Sequence, residues 1–133
     1  MSDFRSAIEA GHGADGGEVD LVRLAYAKER NHCRVARGVF DWDAAWRHLE
    51  RAHIIAQPSF WLHLSSHMDM LKFAWFRRDI RELSGQLFRI ALVPLGALTG
   101  RLPAGNTGRA RVSAFAPMPM PEDMQPLLRS GSL

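Results

Sequence analysis

The sequence predicts an all-α protein of four antiparallel helices, arranged as two helical hairpins similar to tetratricopeptide repeats. Apolar residues recur every three or four positions between about residues 18 and 100, as in amphipathic helices. A weak internal repeat with a spacing of 38 residues relates the segment from Asp41 to the segment from Asp79. The candidate turns are short, which favours antiparallel packing of successive helices.

The first predicted helix begins at about Glu18 and ends at Gly38, a residue type that commonly follows a helix C-terminus. Its apolar side chains share one face, and Glu29 falls on that face, where a carboxylate needs a partner. Residues 1–17 are expected to form a flexible lead-in, because the run GHGADGG favours no regular structure.

The other three helices are each preceded by a residue that can cap a helix. They are predicted over residues 42–57, 60–78 and 80–98. Asp41, Ser59 and Asp79 stand directly before them, and their side-chain oxygens can accept hydrogen bonds from the first turns. Pro58 ends the second helix, since proline interrupts helical hydrogen bonding.

The remaining segment, 101–133, has too many Gly and Pro residues for a long helix. We expect it to form an extended tail packed on the helical domain, with a short helix after Pro121. The chain is thus divided into a lead-in (1–17), a helical domain (18–100) and a tail (101–133).

Composition excludes several classes of protein. The 17 basic and 14 acidic residues are scattered, and no run of like charge suggests a nucleic-acid-binding arm. Cys33 is the only cysteine, which rules out an internal disulfide. The most apolar window, Ile90–Leu98, is too short to span a bilayer. We therefore expect a cytoplasmic protein that binds neither nucleic acid nor membrane; a homodimer is compatible with the sequence.

Four of the six histidines fall within residues 48–68. Residues equally distant from the turn after the second helix lie opposite each other, which places His53 opposite His63 and Glu50 opposite His67. Glu50 and His53 are separated by three positions, and His63 and His67 by four, so each pair shares one helix face. The sequence therefore predicts that these four side chains converge between the second and third helices.

The first hairpin brings further residues towards this group. Glu29 is expected opposite Glu50, and Tyr26 opposite His53, because each pair is equally distant from the turn after Gly38. Tyr26 and His32 are candidates for supporting roles beside the ligands. The predicted metal ligands are Glu29, Glu50, His53, His63 and His67. His48 is expected to point elsewhere, since five positions before His53 is about 140° around a helix.

Imidazole and carboxylate ligands suit Fe, Zn, Mn or Cu, and helical bundles build di-iron sites from Glu residues and Glu-x-x-His motifs. Iron is the favoured ion, with zinc or copper as alternatives, in a site for one or two metals. An iron centre with open positions would carry out oxidative chemistry on a small molecule. The residues alone do not establish catalysis.

Two other interpretations remain open. The hairpins could form a metal-free module for protein interaction, with the histidines in a polar seam between helices. The same ligands could also hold zinc or copper in heavy-metal handling. The segment GNTGR at 105–109 could bind an anion through Arg109, but a Gly-rich turn is the preferred interpretation.

The segments LERAHIIAQ, HLSSHMDML, RRDIRELSGQLFRI and GNTGRARVSAFAPMPMPED resemble a family of small bacterial helical proteins classed as a domain of unknown function. The resemblance covers about Asp41 to Met124. It implies that Glu50, His53 and the HxxxH pair belong to the family's pattern, whereas His32 and His48 are not clear parts of it. It implies no activity; an association of such proteins with heavy-metal resistance genes is compatible with metal handling.

Overall fold

The structure, a computed structural model, describes the backbone of residues 3–100 and 105–129 and the side chains from Leu21 onward within those ranges. Every regular element in this part of the chain is helical. The all-α prediction is therefore confirmed.

Four long helices are followed by a short helical segment near the C-terminus. The long helices are α1 (Asp3–Gly38), α2 (Trp42–Ala56), α3 (Phe60–Arg77) and α4 (Ile80–Thr99). The 3₁₀ turn Glu122–Met124 and α5 (Gln125–Arg129) come after them. Helix α1 packs against α2, and α3 against α4, as two hairpins; α2 and α3 also contact each other. This arrangement confirms the predicted fold.

Two of the predicted caps begin helices. The Asp41 carboxylate accepts a hydrogen bond from the backbone N–H of Ala44, and the Asp79 carboxylate accepts one from that of Glu82, each at 2.9 Å. Ser59 also precedes a helix, but its side chain makes no capping hydrogen bond. The α2–α3 turn therefore depends on Pro58 and packing more than on a cap.

The first helix is longer than predicted. It begins at Asp3 and not at about Glu18, so the backbone is already helical through the Gly-rich run. Glycine lowers helix propensity by about 1 kcal/mol relative to alanine but does not forbid helical dihedral angles. Composition alone therefore placed this boundary too late. Of the lead-in and the tail, residues 1–2, 101–104 and 130–133 lie outside the described residues.

The apolar core is divided into two clusters. One surrounds Phe73 and Trp46 where α1, α2 and α3 meet. The other is formed by residues from α1 and the end of α2 together with Met124, which is buried. The turn before α5 therefore packs against the helical hairpins. None of the described helices combines the length and hydropathy needed to cross a bilayer.

Candidate metal centre

Three buried histidines meet between α2 and α3. His53 comes from α2, and His63 and His67 come from α3, as the turn at Pro58 requires. Each is at most 4% exposed. The Nε2 atom of His53 lies 3.0 Å from Nε2 of His63 and 3.2 Å from Nε2 of His67. The same nitrogen of all three rings thus faces a common point, and we call these residues the histidine triad.

Two rings of the triad are held by hydrogen bonds on their opposite edges. Nδ1 of His53 donates to the carbonyl oxygen of Asn106, and Nδ1 of His67 donates to the side-chain oxygen of Gln86, both at 2.8 Å. The orientation of Gln86 follows from its other partners. Its amide nitrogen donates to a Glu82 carboxylate oxygen and to the Gly108 carbonyl, neither of which can donate. The amide oxygen must therefore face His67.

The triad is neutral at pH 7. Burial lowers the pKa of His63 and of His67 to about 4, and the positive charge of Arg89 contributes to both shifts. Burial, reinforced by its two neighbouring imidazoles, lowers the pKa of His53 well below its ordinary value. A neutral imidazole carries one proton. Since His53 and His67 carry theirs on Nδ1, their Nε2 atoms present lone pairs to each other.

This arrangement cannot be satisfied by hydrogen bonds alone. No proton is available between the facing Nε2 atoms of His53 and His67. If His63 carries its proton on Nε2, it can donate to Nε2 of His53. The contact between His53 and His67 still has no proton between its two nitrogens. Nδ1 of His63 is buried and has no hydrogen-bond partner among the described residues. Buried polar atoms are usually paired, so lone pairs that converge in this way are suited to a cation.

The Gly-rich segment of the tail closes over one side of the triad. Gly108 has a positive φ of 80°, and a Cβ at this position would lie 3.0 Å from ring atoms of His53. The buried Asn106 side chain accepts from the backbone N–H of Gly108 and donates to the carbonyls of Ser113 and Ala116. The segment is a Gly-rich turn, as the preferred interpretation of GNTGR anticipated; that it also holds His53 was not anticipated.

Glu50 does not join the triad. Its carboxylate lies 2.9 Å from Nη1 of Arg109, whose Nε donates to Glu82 at 3.0 Å. The Arg109 guanidinium also lies over the Trp46 ring, 3.8 Å from its centre. Glu50 is three positions before His53, so the two side chains point about 60° apart around the helix axis. This difference directs Glu50 towards the tail. The predicted five-residue group is corrected on this point.

Glu29 lies in a separate group on the α1–α2 side. One of its carboxylate oxygens lies 2.8 Å from Nδ1 of His48, and the other accepts from Nε of Arg51 at 2.9 Å. His32 adds a third side chain, with its ring centre 5.0 Å from that of His48. Potential ligand atoms of Glu29, His32 and His48 lie within 4.8 Å of one another. Glu29 already has a partner on each oxygen, so this geometry is explained without an ion.

Tyr26 is likewise separate from the triad. Its hydroxyl lies 3.2 Å from both the Ser65 hydroxyl and the Asp69 carboxylate. Burial raises the pKa of Tyr26 to about 12, so the phenol stays protonated. No hydrogen bond or ring contact joins Tyr26 or His32 to the triad, and His32 lies instead beside Glu29 and His48.

Sequence reasoning missed the residues that surround the triad, chiefly Gln86, Arg89 and Asn106. A signal for two of them was present. Glu82, Gln86 and Arg89 recur at helical core spacing on α4 and are all buried, whereas that spacing usually selects apolar residues. For Asn106, the neighbouring glycines predicted a turn, but nothing in the sequence indicated that this turn contacts His53.

The fold and the triad together define a small all-helical protein whose buried histidine cluster could hold a metal ion. Over residues 20–128 the chain matches the family described as "Protein of unknown function (DUF3703)". The chain belongs to this family, which confirms the resemblance seen in its motifs. No curated protein and no solved structure matches it.

Proposed function

We propose that the protein binds one divalent transition-metal ion through Nε2 of His53, His63 and His67. The observation that carries this proposal is the 3.2 Å contact between two lone-pair-bearing nitrogens, His53 Nε2 and His67 Nε2. Two nitrogens bound tetrahedrally to zinc at about 2.05 Å are roughly 3.3 Å apart. The spacing in the triad therefore suits ligands of one ion.

The donor set favours zinc as the first candidate. Iron was the favoured ion only because carboxylates were expected beside the histidines, and Glu50 is paired with Arg109 in the structure. Three neutral imidazoles are the protein ligands of one type of catalytic zinc site, and they also suit copper and iron. Zinc thus replaces iron as the first ion to test.

The triad also leaves room for a further ligand. It lies in the wall of a cavity of about 280 Å³, whose other walls come from α4 and the tail. Structural zinc sites generally have four protein ligands, whereas catalytic sites have three and an open position. When bound, such an ion would polarise a carbonyl or lower the pKa of a bound water. We therefore favour a metal-dependent enzyme that acts on a small molecule.

The test is elemental analysis of the protein purified without a polyhistidine tag. We expect about one equivalent of metal in the wild type and a loss in the His63→Gln and His67→Gln variants. His48→Gln is the matched control, because it removes a histidine outside the triad. Glu50→Gln separates the two ligand sets: it should retain metal if the triad is the site, and lose it if the carboxylate is a ligand.

Variants that fail to fold would give an ambiguous loss, so each is also followed by circular dichroism and by its denaturation midpoint. A wild type that stays folded, binds none of zinc, iron or copper, and has the same stability with and without a chelator would contradict the proposal. That outcome would favour the metal-free interaction module.

A further inference from the structure

The lining of the cavity beside the triad combines polar and apolar side chains. The polar side chains are those of His53, His63, His67, Arg89, Gln57, Asn106 and Thr99. Leu92, Val93 and Leu95 of α4 and Phe115 of the tail line much of the rest. Its volume of about 280 Å³ is near the lower limit for ligand pockets, so it suits a small molecule. A ligand that matches both kinds of lining has a polar head and a short apolar body.

Arg89 is the one charged side chain among the described residues that line the cavity. Arg89 is only 7% exposed, and an arginine stays protonated even though burial lowers its pKa. Its Nη2 donates to the carbonyls of Arg109 and Val112, which are neutral partners. No acidic side chain is among the described residues that line the cavity. The negative charge of Glu82 acts on Arg89, but Glu82 is not part of the cavity lining and its oxygens already accept from Gln86, Arg109 and the backbone of Ala110. No carboxylate of the described residues therefore meets Arg89 inside the cavity.

Nη1 of Arg89 has spare capacity for a ligand. Its contact to the Asn106 side-chain oxygen, at 3.5 Å, is the longest hydrogen bond in this network. An ion on three neutral imidazoles would add two positive charges beside it. Charges of one sign are costly in a desolvated site unless an anion is present. The apolar walls disfavour a strongly hydrated, multiply charged anion such as phosphate.

We infer that this cavity binds a small monocarboxylate, with its carboxylate at the metal and near Arg89 and its hydrocarbon body against Leu92, Val93 and Phe115. This rests on the proposed function, because the metal supplies part of the charge. By linkage, the carboxylate and the metal strengthen each other's binding by the same factor.

The experiment uses the full chain loaded with Co²⁺, whose visible absorption reports on the coordination sphere. Pentanoate, pentanamide, acetate and inorganic phosphate are titrated separately. We expect pentanoate to change the spectrum and to bind roughly 10- to 100-fold more tightly than the isosteric pentanamide, as expected for a charge-assisted contact. Pentanoate should also bind more tightly than acetate, which lacks the hydrocarbon body, and than phosphate.

Two variants locate the site. Arg89→Lys keeps the charge but shortens its reach, and should weaken pentanoate binding. Leu95→Asp places a negative charge at the cavity on a half-exposed side chain, so it should weaken pentanoate binding while the protein still folds and keeps its Co²⁺.

Failure of the inference is distinguishable from failure of the proposed function. Stoichiometric Co²⁺ binding with equal affinity for pentanoate and pentanamide would overturn the inference and leave the metal site standing. Unchanged pentanoate binding in Leu95→Asp would also overturn it. A folded wild type that binds none of Co²⁺, zinc, iron and copper would overturn the proposed function, and with it the inference.

Discussion

At the scale of single residues, the histidines are held by groups whose own partners leave them little freedom. Gln86 must direct its oxygen to His67 because Glu82 and Gly108 both require its N–H groups. Such outer hydrogen bonds fix the tautomer of a ligand and commonly affect metal affinity by about 10- to 100-fold. The chemistry of the triad thus depends on residues that never reach its centre.

Gly108 offers a direct test of how closely the tail fits the triad. Its positive φ disfavours any Cβ, and the added methyl group would press on the His53 ring. We expect Gly108→Ala to lower the free energy of unfolding by about 1–3 kcal/mol and to weaken metal binding. Urea denaturation and a zinc titration measure the two effects.

Gly100→Ala is the matched control. Gly100 also has a positive φ, 65°, but a Cβ there would meet no atom of the described residues within 4 Å. Gly100→Ala should lower the free energy of unfolding through backbone strain but leave the metal affinity unchanged. Equal metal affinity in both variants would show that the Gly108 turn does not position His53.

The neutral triad also predicts how stability depends on pH in the absence of metal. The folded pKa values of His63 and His67 are about 4, below the value of about 6.5 expected for an unfolded chain. Between these values the unfolded state binds more protons, so the free energy of unfolding falls as pH decreases from about 6.5 towards 4. Above about pH 6.5 this contribution is constant.

Urea denaturation in a chelator at about pH 7.5 and about pH 5 measures this loss. His63→Gln is the comparison, because it removes one of the titrating groups and should show a smaller loss between the two pH values. A loss in His63→Gln as large as in the wild type would mean that His63 does not carry the predicted penalty.

At the scale of helices, the sequence was informative wherever a polar group had a local partner. Asp41 and Asp79 cap helices within their own segments, and Pro58 ends one, so these boundaries were predictable within about a residue or two. The convergence of His53 with the α3 histidines followed from the same turn. The start of α1 was not predictable, because glycine content does not determine whether a helix continues.

The contact between α4 and the tail gives the element-scale prediction. A Cβ added at Gly85 would lie 2.3 Å from the Cβ of Ala110, too close for either backbone to accommodate without moving. The overlap should lower the free energy of unfolding of Gly85→Ala by about 1–3 kcal/mol, offset by the roughly 1 kcal/mol of helix propensity that alanine gains over glycine, and urea denaturation measures the net change.

The double variant Gly85→Ala/Ala110→Gly removes one of the two colliding methyl groups. It should recover part of the loss once the intrinsic effect of Ala110→Gly has been subtracted in a double-mutant cycle. Additive effects of the two changes would mean that α4 and the tail do not meet in this way.

At the scale of the whole molecule, the tail connects elements that are distant in sequence. Arg109 bridges Glu50 of α2 and Glu82 of α4, and Asn106 reaches His53. This is why the Glu50 assignment could not be made from sequence. Helical register predicted that Glu50 lies close to the histidines. In the structure its carboxylate pairs with Arg109, which is 59 positions further along the chain. Long-range ion pairs leave no periodic signal in a single chain.

Because the tail contacts the triad directly, metal binding should protect the tail from proteolysis. Arg111 is exposed and lies within the tail, so trypsin can report on its opening. At an ion concentration about 100 times the dissociation constant, a ligand that binds only the closed state stabilises it by about 2.7 kcal/mol. We expect cleavage after Arg111 to slow by up to about 100-fold with zinc.

His63→Gln should show no such protection, because it lacks one ligand. Identical cleavage rates with and without zinc in a wild type that demonstrably binds the ion would separate the tail from the metal site.

The three rings of the triad are not held alike, and this has a kinetic consequence. His53 and His67 are each fixed by an outer hydrogen bond, whereas Nδ1 of His63 has no such partner among the described residues. His63 is therefore the one ring of the triad whose Nδ1 edge no hydrogen bond to a described residue holds in place. If the triad holds an ion as proposed, His63 would be the one ligand without an outer hydrogen bond within the described part of the chain, and we would expect it to dissociate first when the metal leaves.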